Sequence, residues 1–167
     1  EQFLEKLSKY FHIRSMDNEE DITEVIYGKK WAFGLMLGEE VYKIRLKQEK
    51  YYEIAWEIPE VLKQLDITVL HYFIMEKVLK IKKEKQPSSK KIRFERNMSA
   101  CIKDVISGEA QAAIITQDIP IQTVKDVCFS GYTLPQKSTY FYPKVICGYL
   151  FGSIKPEEND AKIDRSF

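Results

Sequence analysis

The residues best suited by type and spacing to chemistry lie in one short run, Leu134-Pro135-Gln136-Lys137-Ser138-Thr139-Tyr140-Phe141-Tyr142-Pro143-Lys144. Two prolines bracket it, so no helix passes through, and the residue before each proline is pushed toward extended geometry. In an extended chain Ser138, Tyr140 and Tyr142 point to one side, and Lys137, Thr139 and Phe141 to the other. Amines and hydroxyls on such a strip can hold a phosphate or carboxylate while the rings anchor it to a core. Lys137 and Lys144 would act as point charges, Ser138 and Thr139 as hydrogen-bond donors. The same residues also fit an aromatic-anchored connection with solvated lysines, and residue types alone leave both readings open.

A phosphate loop is excluded. Gly131, four residues on, is followed by Gln136-Lys137-Ser138, the spacing of GxxxxGK[ST] with Gln136 in place of the second glycine. That loop works by presenting bare backbone N–H groups that lead into a helix. Here Pro135 removes one N–H, Gln136 adds bulk, and Thr-Tyr-Phe-Tyr-Pro cannot begin a long helix.

His71 is the candidate for proton transfer, because imidazole titrates near neutral pH. It stands in an apolar segment, where a hydrogen-bonded core histidine is the plainer reading. From Lys77 to Arg96 nine residues are basic: Lys77, Lys80, Lys82, Lys83, Lys85, Lys90, Lys91, Arg93 and Arg96. Pro87-Ser88-Ser89 interrupts them, marking a solvated connection. The aromatic interleaving of a single-strand binder is missing apart from Phe94, so nucleic acid is not the expected partner. Cys101, Cys128 and Cys147 form neither a CxxC pair nor a disulfide framework, and a zinc site is not expected. Buried thiols in a reducing cytoplasm are the reading adopted. Glu109, Asp118 and Asp126 have no spacing that singles out an acid/base pair.

These groups need a scaffold. With 167 residues, 44% hydrophobic and 31% charged, the chain suits one globular domain with a real core. A net charge of +1 advertises neither nucleic acid nor membrane, and no apolar run approaches bilayer length. The start at Glu1, inside a helical pattern, reads as a fragment of a longer protein.

Phe3, Leu4, Leu7, Tyr10 and Phe11 predict an amphipathic helix over 2–12, followed by a surface loop from Arg14 to Glu24. Trp31–Leu37 and Val41–Leu46 flank Gly38-Glu39-Glu40 as a β-hairpin. Its second strand alternates: Val41, Ile44 and Leu46 are apolar, with Lys43, Arg45 and Lys47 mostly outward. Pro59 starts a short helix through Leu65. Asp66 is read as the N-cap of a helix from Ile67 to about Ile81, which is apolar nearly all round and therefore central to the core. Ile92 and Phe94 mark a strand, Met98–Ser107 a helix closed by Gly108, and Ala112–Thr116 a strand. Pro120–Phe129 is a helix closed by Gly131, and Val145–Phe151 a last strand. The alternation predicts crossover units on one sheet, with the hairpin joining it or lying beside it. The expected fold is α+β or mixed α/β, a single domain over 1–167. It would have about five strands in a mixed sheet, four or five helices, and a polar tail over 155–167.

Several stretches together resemble one family. They are Trp31-Ala-Phe-Gly-Leu-Met-Leu-Gly38 with Val41-Tyr-Lys-Ile-Arg-Leu46, Leu65-Asp-Ile-Thr-Val-Leu-His71, Gly108-Glu-Ala-Gln-Ala-Ala113, and Leu134 to Lys144. Spanning about 25–152, they look like landmarks of the bacterial domain-of-unknown-function family 1015. The proline-bracketed stretch is the most specific. Only Leu134, where the family usually has Met, departs from it.

Members of that family are about twice this length or more, so the resemblance implies the C-terminal part of a protein whose N-terminal region is absent here. Some members are likened to ParB-type proteins, a superfamily similar to sulfiredoxin and to a free-serine kinase, and many are encoded beside phosphoserine-pathway enzymes. The resemblance thus favours a cytoplasmic domain handling a small phosphorylated metabolite or nucleotide, with ATP or ADP and Mg²⁺ as the implied cofactors. It also favours a functional role for Lys137, Ser138, Thr139 and Lys144, with Tyr140 or Tyr142 lining the pocket. Two other readings are a nucleic-acid or protein binding module using the 77–96 basic face, and a scaffold half covered by the missing N-terminal region.

Overall fold

Ala32–Leu37 is an unbroken apolar run whose side chains are buried along nearly its whole length. A strand that is apolar at every position must be covered on both faces, and this one is. The computed structural model describes residues 2–18 and 21–135. Within them β1 (Phe11–Met16), β2 (Ala32–Leu37), β3 (Glu40–Leu46) and β4 (Ala113–Ile115) form one sheet in the order β1-β3-β2-β4, with every pairing antiparallel.

The predicted hairpin is the centre of this sheet. Leu37 pairs with Glu40 across the two-residue turn Gly38-Glu39. Gly38 has φ +60°, at the turn position where glycine carries no steric penalty. Alternation then divides the side chains between two cores. Phe33, Leu35, Ile44, Leu46 and Phe11 join one, and Ala32, Met36, Val41, Ala113 and Ile115 the other. Val41 therefore lies opposite Ile44 and Leu46, on the face that also carries Lys43 and Arg45.

The first core is closed by α1 (Gln2–Ser8) and by the central helix. That helix begins as α4 (Asp66–Val69) and continues as a π-helix over Leu70–Val78. Leu79 N–H bonds to the Ile74 carbonyl at 2.9 Å, a five-residue step that shows the widened turn. The expectation that this segment sits at the heart of the core holds. Leu70, Tyr72, Phe73, Ile74, Met75 and Val78 are all buried. Phe73 meets Phe11 edge-on with ring centres 6.2 Å apart. Each fully buried phenylalanine of this kind contributes about 1.5–3 kcal/mol.

The second core is closed by α2 (Ile22–Ile26) and α5 (Met98–Ile106). Ile22 lies so close to β2 that a Cβ on Gly34 would collide with its Cγ2 methyl. The short helix α3 (Glu60–Lys63) follows Pro59, and α6 (Ile121–Phe129) follows Pro120. Gly108 and Gly131, with φ of +78° and +80°, lie just past α5 and α6, as their sequence positions predict.

The fold is α+β, with several corrections. Among the described residues there are four strands rather than five, and the sheet is antiparallel rather than mixed. The first helix stops at Ser8 because Phe11 is claimed by pairing with Leu46, so Phe11–Met16 is a strand and not helix or loop. Part of the expected loop also holds α2. Ile92 and Phe94 lie outside any strand; Ile92 packs on the first core instead. Asp66 is the first helical residue and Leu65 the cap, because the Asp66 carboxylate is engaged elsewhere. The predicted strand Val145–Phe151 and the tail lie outside the described residues.

Candidate functional site

His71 lies in the first turn of the π-helix, and its surroundings fix its chemistry. Its Nδ1 is 2.6 Å from Gln86 Oε1. Gln86 is only 3% exposed, and its Nε2 donates to two backbone carbonyls, His71 O at 3.1 Å and Ile81 O at 2.9 Å. Both amide hydrogens of Gln86 are thereby used, so Oε1 is the atom that faces the imidazole and can only accept. His71 Nδ1 must then carry the proton, which leaves the lone pair of the neutral ring on Nε2.

Nε2 is enclosed and, among the described residues, makes no hydrogen bond. Burial lowers the imidazole below its ordinary range, the bond to Gln86 opposing in part. The ring is thus held neutral, in one tautomer, with an unspent basic nitrogen. Phe94 stacks beside it, the planes 12° apart and the centres 6.2 Å apart.

The residues around His71 come from a single strap. After Val78 the chain turns at Lys80, which takes φ +59°. It makes a 3-10 turn over Lys83–Lys85, and returns across the helix from Gln86 to Phe94. Lys82, Lys83, Lys85, Lys90, Lys91, Arg93 and Arg96 are exposed along it. Arg93 pairs with Asp104, and the Lys83 ammonium lies 4.7 Å from the Trp56 ring centre. Lys82, Lys85, Lys90 and Lys91 add exposed positive charge to the strap that covers the histidine.

A second constellation joins three distant segments. Trp31 has φ +58°, a left-handed backbone that is costly for a bulky residue. Its N–H donates to Asp66 Oδ1 at 2.8 Å, and its indole N–H to the Gln64 carbonyl at 3.0 Å. Gln117 Nε2 donates to Asp66 Oδ2 at 2.7 Å and to the Lys29 carbonyl at 3.0 Å, while Gln117 Oε1 accepts from Gly28 N–H at 3.0 Å. Burial raises the Asp66 carboxyl, with the two donors partly offsetting this. Beside this junction lies an open cleft of about 470 Å³, lined by Trp31, Gln48, Glu49, Tyr51 and Tyr52.

Of the sequence-predicted site residues, His71 is placed. Among the described residues it is brought against Gln86 and Phe94 rather than against another titratable group. Lys137, Ser138, Thr139, Tyr140, Tyr142 and Lys144 lie outside the described residues. Gln86 does not stand out in the sequence, since an amide among lysines reads as surface; only its place beside the proline that interrupts the charge run hints at a turn inward. Among the described residues no three His, Cys, Asp or Glu side chains converge in a way that could hold a metal ion, and no helix is long and apolar enough to cross a membrane. No protein-family model matches the chain, and no curated protein or solved structure is significantly similar to it.

Proposed function

We propose that this chain is part of a domain that handles a small phosphorylated metabolite or nucleotide, with His71 Nε2 as the proton acceptor. The observation that carries the reading is an enclosed, neutral Nε2 that has no hydrogen-bond partner among the described residues and lies beneath an exposed basic strap. A positively charged surface concentrates anions, and a preset imidazole can take the proton of an attacking hydroxyl. In phosphoryl transfer the protein's task is chiefly to position reactants and neutralise charge. Lys137, Ser138, Thr139 and Lys144 are the phosphate contacts in this proposal, with Tyr140 and Tyr142 as pocket walls, on the strength of the resemblance to family 1015. That resemblance also suggests serine or phosphoserine as substrate class, and ATP or ADP with Mg²⁺. The described residues supply no carboxylate cluster for Mg²⁺, so no step is drawn through it.

The test is a thermal-shift screen against ATP, ADP, serine, phosphoserine and phosphate, with and without Mg²⁺, on this chain and on a longer protein that restores an N-terminal region. A ligand at a hundredfold excess over Kd adds about 2.7 kcal/mol of stability. A shift abolished by Lys137→Ala and a reaction slowed by His71→Ala support the proposal; no shift in either protein removes it.

The exposure of Lys82, Lys83, Lys85, Lys90 and Lys91 favours a second reading, a binding module for nucleic acid or an acidic protein surface. Binding through that strap would fall steeply with salt and be lost on charge reversal at Lys90 and Lys91.

A further inference from the structure

We propose that the cleft formed by Trp31, Gln48, Glu49, Tyr51 and Tyr52 is a binding site for a neutral saccharide, a pyranose ring or a short glycan. Its volume, about 470 Å³, is in the range of small-molecule sites. What its walls offer decides the ligand class.

Two of the rings have their polar atoms already engaged. The Trp31 indole N–H is bound to the Gln64 carbonyl, and the Tyr51 hydroxyl to Glu60. Tyr51 stacks on Trp31 at 4.5 Å, the planes 13° apart. Neither residue therefore offers a donor to the cleft, and Trp31, 9% exposed with Tyr51 on one face and the Lys30 ammonium on the other, forms its floor rather than a stacking surface. Tyr52 stands edge-on to Tyr51 with centres 5.6 Å apart, and is 86% exposed. A large ring left in water at the mouth of a cleft offers a flat face for a ligand. The C–H groups of a sugar ring carry the partial positive charge that an aromatic face attracts.

The rim supplies the polar part. Gln48 and Glu49 are exposed, and among the described residues neither side chain makes a hydrogen bond or ion pair. An amide and a carboxylate side by side accept hydrogen bonds from hydroxyl groups. The carboxylate disfavours an anionic ligand. A cation is disfavoured too, because the Lys30 ammonium already lies 4.5 Å from the Trp31 ring centre. A neutral ring bearing hydroxyls matches both the rings and the rim.

The site is also built in advance. Gln48, Glu49, Tyr51 and Tyr52 all belong to one 3-10 turn, Gln48–Glu53. That turn is tied at its start by Lys47 N–H to the Tyr10 carbonyl at 3.0 Å, and at its end by Ile54 N–H to the Tyr51 carbonyl at 3.2 Å. Trp31 is kept in its left-handed backbone by Asp66. Strain held this firmly by its surroundings is a mark of functional positions, and preorganisation lowers the cost of binding. The cleft shares no residue with the contacts of His71, so this inference stands or falls separately from the proposed function.

The experiment uses the 167-residue chain. Methyl β-glucoside, maltose, cellobiose and chitobiose are offered in saturation-transfer NMR. The same sugars are titrated by fluorescence in a Trp56→Phe background, so that Trp31 is the sole indole. The expected result is saturation transfer to at least one sugar and a change in Trp31 emission. Tyr52→Ala and Glu49→Gln should each weaken binding about tenfold or more at unchanged melting temperature, since both side chains are exposed. His71→Ala should leave the affinity as it was. No transfer to any sugar of the panel, or transfer that persists in both cleft variants, would overturn the proposal. So would a preference for glucose 6-phosphate over glucose that His71→Ala removes.

Discussion

Asp66 Oδ1 accepts the backbone N–H of Trp31 at 2.8 Å, joining the first residue of α4 to the residue that precedes β2, 35 positions away. The second oxygen of the same carboxylate accepts from Gln117, whose amide is locked by Gly28 and Lys29. Asp66→Asn places an N–H₂ group against the Gln117 N–H₂ group, with no freedom for Gln117 to turn. The expected loss is about 1–3 kcal/mol, the usual cost of a buried polar group left unsatisfied. Chemical denaturation of the variant at neutral pH measures it. A variant as stable as the parent would contradict the assigned orientation of Gln117.

His71 should appear in NMR as the Nδ1–H tautomer, with a pKa below the ordinary value of 6.5. The direction sets the pH dependence of stability. Below about 6.5 the unfolded chain binds a proton that the folded chain refuses, so stability falls as pH drops. The fall levels off once the folded imidazole also takes its proton. His71→Ala should lack this segment of the curve, and two-bond ¹H–¹⁵N spectra should report the tautomer directly.

The enclosure of Nε2 makes its reactivity a gauge of the strap. The protein has two histidines, and His12 is exposed. Diethylpyrocarbonate should modify His12 quickly and His71 slowly. Phe94→Ala uncovers the ring and should raise the His71 rate several-fold, while leaving that of His12 unchanged. Equal rates at the two histidines of the parent protein would show that Nε2 is open.

Gly34 has no room for a side chain. Gly34→Ala drives a methyl into Ile22 Cγ2 and should cost about 1–3 kcal/mol, as overpacking does. Adding Ile22→Ala vacates the space, so the double variant should lose less than the sum of the two single losses. Additive losses would mean that α2 does not rest on β2 at this point.

Much of the scaffold is legible in the chain. The hairpin, the central buried helix, and the glycines closing α5 and α6 all follow from local pattern. β1 does not, because Phe-His-Ile-Arg-Ser-Met has too little alternation to declare itself. It is a strand because Phe11 and Ile13 pair with Leu46 and Ile44, a relation across some thirty residues. Ile92 and Phe94 have strand-like side chains, but one packs on the core and the other on His71, uses that no local pattern encodes. At the candidate site His71 is legible as a residue but not as a tautomer. The tautomer depends on Gln86, whose burial comes from the path of the strap rather than from its own polarity.

The widened turn from Leu70 to Val78 gives this fold a tolerance of chain length that its composition does not suggest. Bonds that close over five residues fit more residues into each turn than an ordinary α-helix does. Deleting one residue between Ile74 and Val78 would let the helix tighten to normal pitch, and the tighter winding would take up most of the rotation that the lost residue supplied. His71 would then keep nearly its present facing toward Gln86, on a helix one residue shorter. The segment works as a slack link, able to give up one residue without turning the histidine away from its partner.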